Sequence, residues 1–230
     1  MRALLEHRRQ RIAAGDEALG WKVGFGSPAA LERLGTRGPL VGFLLRSGLV
    51  PSGGSVPVDG WTAPAAEPEI ALHVAHPVPP GSGRAAAEAG VGAYGPAIEL
   101  ADVDRPPDDP EAILGANIFQ RAVVLGPAVP WTPGAPADLR SRVEVNGEEV
   151  AVTDEVEALT GEVVDLLVYV ADVLVHAGEE LRPGDVVIMG SIVPPLSPAA
   201  PDHIRFELAP LDPIEVTLGG GPSPFERSRL

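Results

Sequence analysis

The chain contains no cysteine, which excludes disulfides, thiolate metal sites and cysteine nucleophiles together. It also lacks any run approaching the ~18 uninterrupted apolar residues that a membrane-spanning helix requires. The first residues, Met1 to Arg9, have neither the apolar stretch nor the small-residue cleavage site of a secretory signal. A soluble cytoplasmic protein is the expectation. Positive charge is short as well: the net charge is −15, which argues against nucleic acid or an anionic membrane as the main partner. An anionic substrate would need a local reversal of that field, and a divalent cation is the simplest source of one.

Lysine is scarcest of all. It occurs once, at Lys22, against sixteen arginines. Wherever only a positive charge is needed, arginine serves in this composition. Lysine differs in being able to lose its proton when desolvated, and so to act as acid or base. Lys22 is therefore a candidate catalytic residue, with chance survival of one lysine as the alternative.

What the sequence does have is apolar material, 45% of 230 residues. That is enough for a full core in one large domain, or in one domain with a small N-terminal attachment. Its most informative stretch is Ala66-Glu67-Pro68-Glu69-Ile70-Ala71-Leu72-His73-Val74. Alternation predicts a strand with Ile70, Leu72 and Val74 on one face and Glu67, Glu69, Ala71 and His73 on the other. Two carboxylates on one face repel. A bound cation, a basic partner or a solvated edge would each relieve them, and Pro68, which has no ladder donor, favours the edge.

Elsewhere the pattern predicts a helix over 2–19 and a strand from Gly20 closed by Gly24 and Gly26. A short helix at 29–34 ended by Gly35 and a strand at 41–45 follow. The Gly/Pro/Ser-rich segment 51–64 is the natural seam, dividing the chain into 1–60, a helical cap with the lysine motif, 61–220, a β-rich body, and 221–230, a polar tail. The loop 77–83 is rich in glycine but lacks the strand–loop–helix context and terminal Lys-Ser/Thr of a phosphate site. Strands are expected at 96–103, placing Glu99 with Ala97 and Ala101 and leaving Asp102 in reserve, and at 122–126. Asn146-Gly147 predicts a type I′ hairpin. The segment 161–177 is the clearest helix, with Thr160 as its cap and Gly178 as its end. Strands at 186–189, 203–208 and 214–218 complete an α+β chain.

Six landmarks in order carry a family resemblance. They are Gly20-Trp21-Lys22-Val23-Gly24, Glu67-Pro68-Glu69-Ile70-Ala71, Pro96-Ala97-Ile98-Glu99-Leu100, Val124-Leu125-Gly126, Asn146-Gly147-Glu148-Glu149-Val150 and the run Gly184 to Ser191. In these the chain resembles the hydratase/decarboxylase branch of the fumarylacetoacetate hydrolase superfamily, near 2-oxopent-4-enoate hydratases and 4-oxalocrotonate decarboxylases. The resemblance implies a mixed β-roll like that superfamily's C-terminal domain, with a small helical N-terminal cap. It implies Glu67, Glu69 and Glu99 as ligands of one Mg²⁺ or Mn²⁺, Lys22 as the active-site lysine, and Asn117 and Ser191 as substrate-binding residues.

The activity so implied is hydration of a small 2-hydroxydienoate or 2-oxo acid through a metal-stabilised enolate. Decarboxylation stands second and C–C bond hydrolysis third, because hydrolysis would need a histidine–glutamate pair, and the nearest candidates, His73 and His76, lie three residues apart on a strand and face opposite sides. A non-catalytic partner subunit that keeps the fold and metal is the alternative of another class. Homo-oligomers, and a complex with a related pathway enzyme, are the expected assemblies. The chain departs from the family at Arg46-Ser47, where hydratases carry acidic residues, at Ile118 to Arg121, and at Ile192-Val193. Phe119, Gln120, Arg46 and Val193 are candidate pocket positions.

Overall fold

A computed structural model describes residues 1–219; the polar tail expected at 221–230 lies outside them. Helix α1 (Arg2–Ala13) leads into strand β1 (Ala18–Gly24), so the first helix is shorter than its pattern and Leu19 belongs to a strand. Helix α2 (Pro28–Leu34) has Ser27 as its N-cap and Gly35 as its left-handed C-cap. Strands β2 (Leu40–Leu45), β3 (Leu49–Val50), β4 (Gly54–Val56) and β5 (Pro64–Val74) follow. Helix α3 (Arg84–Gly90) precedes β6 (Val91–Asp102), and α4 (Pro110–Gly115) precedes β7 (Gln120–Leu125) and β8 (Val129–Pro130). The hairpin β9 (Arg140–Val145) and β10 (Glu148–Thr153) turns at Asn146 and Gly147, both with positive φ (55° and 81°), as a type I′ turn requires. Helix α5 (Val163–His176) and strands β11 (Val186–Ser191), β12 (Asp202–Ala209) and β13 (Ile214–Leu218) finish the α+β fold.

The strands form two sheets. The larger runs β2-β1-β11-β5-β6-β7-β3 with β8 beside β6; the smaller runs β10-β9-β12-β13-β4. Pairing crosses the seam near residue 60, because β1 is hydrogen-bonded to β11 and β4 to β13. One face of the large sheet, carrying Trp21, Phe43, Ile70, Leu72, Ile98 and Val187, packs on the small sheet and on α5 in a single apolar core. The opposite face carries smaller apolar side chains, Leu44, Ala71, Ala97 and Ile188. The alternation expected for 66–74 is therefore observed, with both faces covered.

Three local predictions need correction. Strand β5 lies inside the sheet, between β11 and β6, so the solvated-edge explanation of its glutamates is excluded. Pro68 is tolerated there because β11 bulges between Ile188 and Ser191, and the Ile192 N–H donates to the Pro68 carbonyl at 2.8 Å. Thr160 does not cap α5: Glu162 is the N-cap residue and the Glu157 carboxylate accepts from the Val163 N–H at 2.7 Å. Asp102 accepts from the N–H groups of Thr62 and Ala63 at 2.8 and 3.0 Å, which commits it to the backbone and removes it as a reserve ligand. Among the described residues no helix is long and apolar enough to cross a membrane.

Candidate active site

Four adjacent strands, β1, β11, β5 and β6, build the site floor. Lys22 is opposite Ile188, Ile188 is opposite Ala71, and Glu67 is directly opposite Glu99. A bulge between Ala18 and Gly20 lets Leu19 pack on one face and Trp21 on the other, which leaves Lys22 on the face of the glutamates. Lys22, Glu69 and Glu99 are 1%, 0% and 0% exposed. Charges are almost never buried so completely unless paired or ligating.

One pairing is present: the Lys22 ammonium donates to Glu99 Oε1. Glu69 Oε2 accepts from the Gly190 N–H at 2.7 Å. The other oxygens, Glu69 Oε1 and Glu99 Oε2, are buried and have no partner. Burial pushes the Glu99 carboxyl up to about 7, with Lys22 opposing and Glu67 adding to the shift. Burial raises Glu69 well above the usual carboxylate range, reinforced by Glu99 and Glu67. Glu67 is raised by burial, with Lys22 pulling the other way.

One oxygen each from Glu67, Glu69 and Glu99 lies within 4.8 Å of the others. With metal–oxygen distances of about 2.1 Å, oxygens on opposite sides of an Mg²⁺ stand about 4 Å apart, so the three are within reach of one hard cation. Unpartnered buried oxygens and an all-carboxylate donor set fit such an ion.

Above the floor lies a cavity of about 500 Å³. Lys22, Glu67 and Ser191 line it, under apolar walls that include Phe25, Ile118 and Phe119. The Ser191 hydroxyl donates to the Val193 carbonyl at 2.6 Å. Asn117, expected at the substrate, does not line this cavity. Its amide is spent on Phe43, accepting from the N–H at 2.9 Å and donating to the carbonyl at 3.0 Å. That clamp on the edge of β2 holds Asn117, Ile118 and Phe119 at positive φ (52°, 53° and 64°), a sparsely populated conformation for a β-branched residue. It turns Ile118 and Phe119 into the cavity.

Of the other candidate pocket positions, Phe119 lines the cavity and three do not. Gln120 borders a separate depression of about 300 Å³. Arg46 is exposed and pairs with Glu17 at 3.3 Å, while Ser47 bonds Asp16, so the departure at 46–47 lies outside the cavity. Val193 is in the apolar core. No histidine lines the cavity; His76 is exposed, and His73 is partly buried with Nε2 unpartnered. The sequence reading missed Thr160, Arg33 and Phe25, all of which line it. The flanking glycines of Gly24-Phe25-Gly26 were the available signal for Phe25, which has φ 56°.

A sheet roll with buried carboxylates and one lysine defines a class, and sequence comparison agrees. The model for the fumarylacetoacetate (FAA) hydrolase C-terminal family matches residues 26–220, and the chain belongs to that family. The lysine motif lies just before the matched segment. Magnesium- and adipate-complexed 4-oxalocrotonate decarboxylase from Pseudomonas putida G7 superposes with a TM-score of 0.87 at 24% identity, covering 94% of this chain and 83% of that one. Its calcium and acetate complex gives 0.86 at 25%, with the same coverage. Fumarylpyruvate hydrolase from Pseudomonas aeruginosa, in complex with Mn²⁺ and pyruvate, gives 0.69 at 18%, covering 87% and 89%. No curated protein matches the sequence. The resemblance to the hydratase/decarboxylase branch is thus borne out.

Proposed function

We propose that the chain is a divalent-cation-dependent lyase acting on a small 2-oxo acid, with hydration of a 2-hydroxydienoate as its reaction. The observation that carries this reading is the convergence of Lys22, Glu67, Glu69 and Glu99 beneath one apolar-walled cavity. The three glutamates would hold Mg²⁺ or Mn²⁺, which when bound supplies Lewis acidity toward the carboxylate and 2-oxo oxygens of the acid.

The remaining work belongs to the chain. Lys22 is the one amine at the floor, and it serves as the group that moves the proton on and off the carbon skeleton next to the carbonyl. The walls of Phe25, Ile118 and Phe119 exclude bulk water and strengthen each polar contact below them. The Ser191 hydroxyl, its donor committed to Val193, meets a ligand as an acceptor, and Thr160, a second hydroxyl-bearing residue, lines the cavity. These two hydroxyls give an incoming water places to bind, which favours hydration. Asn117 acts from behind, fixing the wall and not touching substrate.

Decarboxylation is the second reading, favoured by the fold likeness to 4-oxalocrotonate decarboxylase. It needs only proton delivery from Lys22 once CO₂ leaves. A homo-oligomeric cytoplasmic enzyme is part of the same reading.

The test is turnover of a panel of 2-hydroxy-2,4-dienoates and 2-oxo acids, followed by dienol absorbance with Mg²⁺, Mn²⁺ or EDTA. Cation-dependent turnover, lost in Glu69→Ala, is expected. In Lys22→Ala turnover should vanish while cation binding survives. Product analysis separates added water from released CO₂. An absence of turnover across the panel, together with altered activity of a co-expressed relative, would replace the enzyme with a partner subunit.

A further inference from the structure

A β-branched residue stands in the cavity wall where its backbone would suit glycine. Ile118 has φ 53° and ψ 38°, left-handed values that glycine adopts freely and a β-branched residue only under constraint. The Asn117 clamp supplies that constraint, and the Ile118 side chain is 4% exposed. Two glycines make the space it occupies. A Cβ on Gly24 would stand 2.8 Å from Ile118 Cγ2, and a Cβ on Gly42 would stand 3.2 Å from Ile118 Cδ1. The same Cβ on Gly42 would stand 3.0 Å from Lys22 Cγ, so isoleucine and lysine stem flank one point. Gly42 is opposite Lys22 in the pairing of β1 with β2, and Gly24 lies two residues further along β1 on the lysine's face. Ile118 therefore fills a cradle beside the lysine stem, and both residues line the cavity.

The backbone at 118 asks for no bulk; bulk there removes volume from the cavity next to its one amine. The glycine backbones of β1 and β2 close the cradle behind the side chain, so it has no room to withdraw. In the lyase reading Lys22 serves the carbon next to the carbonyl, C3 of the acid. The wall beside Lys22 then limits what C3 can carry. A second carbon substituent at C3 would compete with Ile118 Cγ2 and Cδ1 for the same space. Resting on the 2-oxo-acid reading above, we infer that Ile118 is a specificity residue that restricts the site to 2-oxo acids unbranched at C3 and rejects their 3-methyl counterparts.

The test compares 2-oxopentanoate with 3-methyl-2-oxobutanoate, isomers that differ in a branch at C3. Binding to the Mg²⁺-loaded protein is followed by titration calorimetry. The linear acid should bind about tenfold more tightly, the effect of one methyl group forced into a filled site. Ile118→Val removes Cδ1 alone and should narrow the gap. Ile118→Ala should close it by strengthening the branched acid, and Ile118→Gly, which suits the backbone at φ 53°, should do the same without the left-handed strain. A side chain that only supported the fold would weaken both acids together when shortened, and would not improve the branched one. An unchanged Mg²⁺ titration shows that the variants keep the floor. Equal affinities in the unaltered protein, or a gap that persists in all three variants, would overturn the inference while leaving the site reading intact. If neither acid binds, or if Glu69→Gln binds both as the parent does, the site reading fails and the inference fails with it.

Discussion

Glu69 sits wholly buried beside two other glutamates, one oxygen held by the Gly190 N–H and the other by nothing. Without a cation this is an unfavourable position, since desolvation and like charge both oppose ionisation. Glu69→Gln keeps the shape and removes one charge. The metal-free variant is expected to be more stable than the parent at pH 8, by on the order of 1–3 kcal/mol, with its melting temperature raised accordingly. The same variant should lose the stabilisation that Mg²⁺ gives the parent, so differential scanning with and without Mg²⁺ reads both effects. A metal-free variant less stable than its parent would show that Glu69 is satisfied by the fold alone. Part of this was legible beforehand: Glu67 and Glu69 fall two apart in an alternating strand, which fixes their common face. Asn117 was not. Its amide bonds Phe43, 74 residues away in sequence, and nothing local distinguishes that clamp from a substrate contact.

At the scale of elements, regular periodicity was readable and its interruptions were not. The Asn146-Gly147 hairpin, the apolar stripe of α5 and the alternation of β5 are intrinsic to their segments. The bulge at Gly20 depends on what lies next to β1, and it moves Lys22 relative to Leu19. Gly20 has φ +153°, and a Cβ there would stand 1.9 Å from the Val186 carbonyl oxygen. Gly20→Ala is therefore expected to prevent correct pairing of β1 with β11 and to yield insoluble or unfolded protein, checked by soluble expression and circular dichroism. Recovery of a folded, cation-binding Gly20→Ala protein would contradict the tight register described. Pro68 misleads for a similar reason: a proline reads as an edge until the bulge in β11 opposite it is known. Thr160, placed by pattern as a cap, lines the cavity instead, while the Glu157 carboxylate takes the Val163 N–H.

For the whole molecule, the raised carboxylates make stability and cation binding depend on pH. Between the ordinary glutamate value of 4.5 and about 7, the unfolded chain has released a proton that folded Glu99 still holds. This group's contribution therefore falls as pH rises through that window and is gone above it. His73 acts in the opposite sense: burial lowers it from 6.5, so its contribution is lost as pH falls. The difference between cation-loaded and metal-free protein isolates the carboxylates, because a cation requires them ionised. The melting-temperature gap produced by saturating Mg²⁺ should be small at pH 5 and widen as pH rises through about 7. A gap that is constant across this range would exclude these glutamates as the ligands.

Strand β11 has a consequence for how the protein comes into being. It lies between the strand of the lysine and the strand of Glu67 and Glu69, pairing Gly20 with Val186 and His73 with the same residue. During synthesis, Lys22 and all three glutamates leave the ribosome long before the segment that joins the lysine strand to theirs. Such distant pairings are slow to find, because the chain loses the entropy of a long loop before any contact rewards it. Until Val186–Ser191 arrives, Glu67 and Glu99 can already meet across β5 and β6, but Lys22 has no strand to bring it beside them. The act that closes the sheet is thus also the act that brings Lys22 and the Gly190 N–H to the carboxylates, so the centre is complete only once β11 is in place.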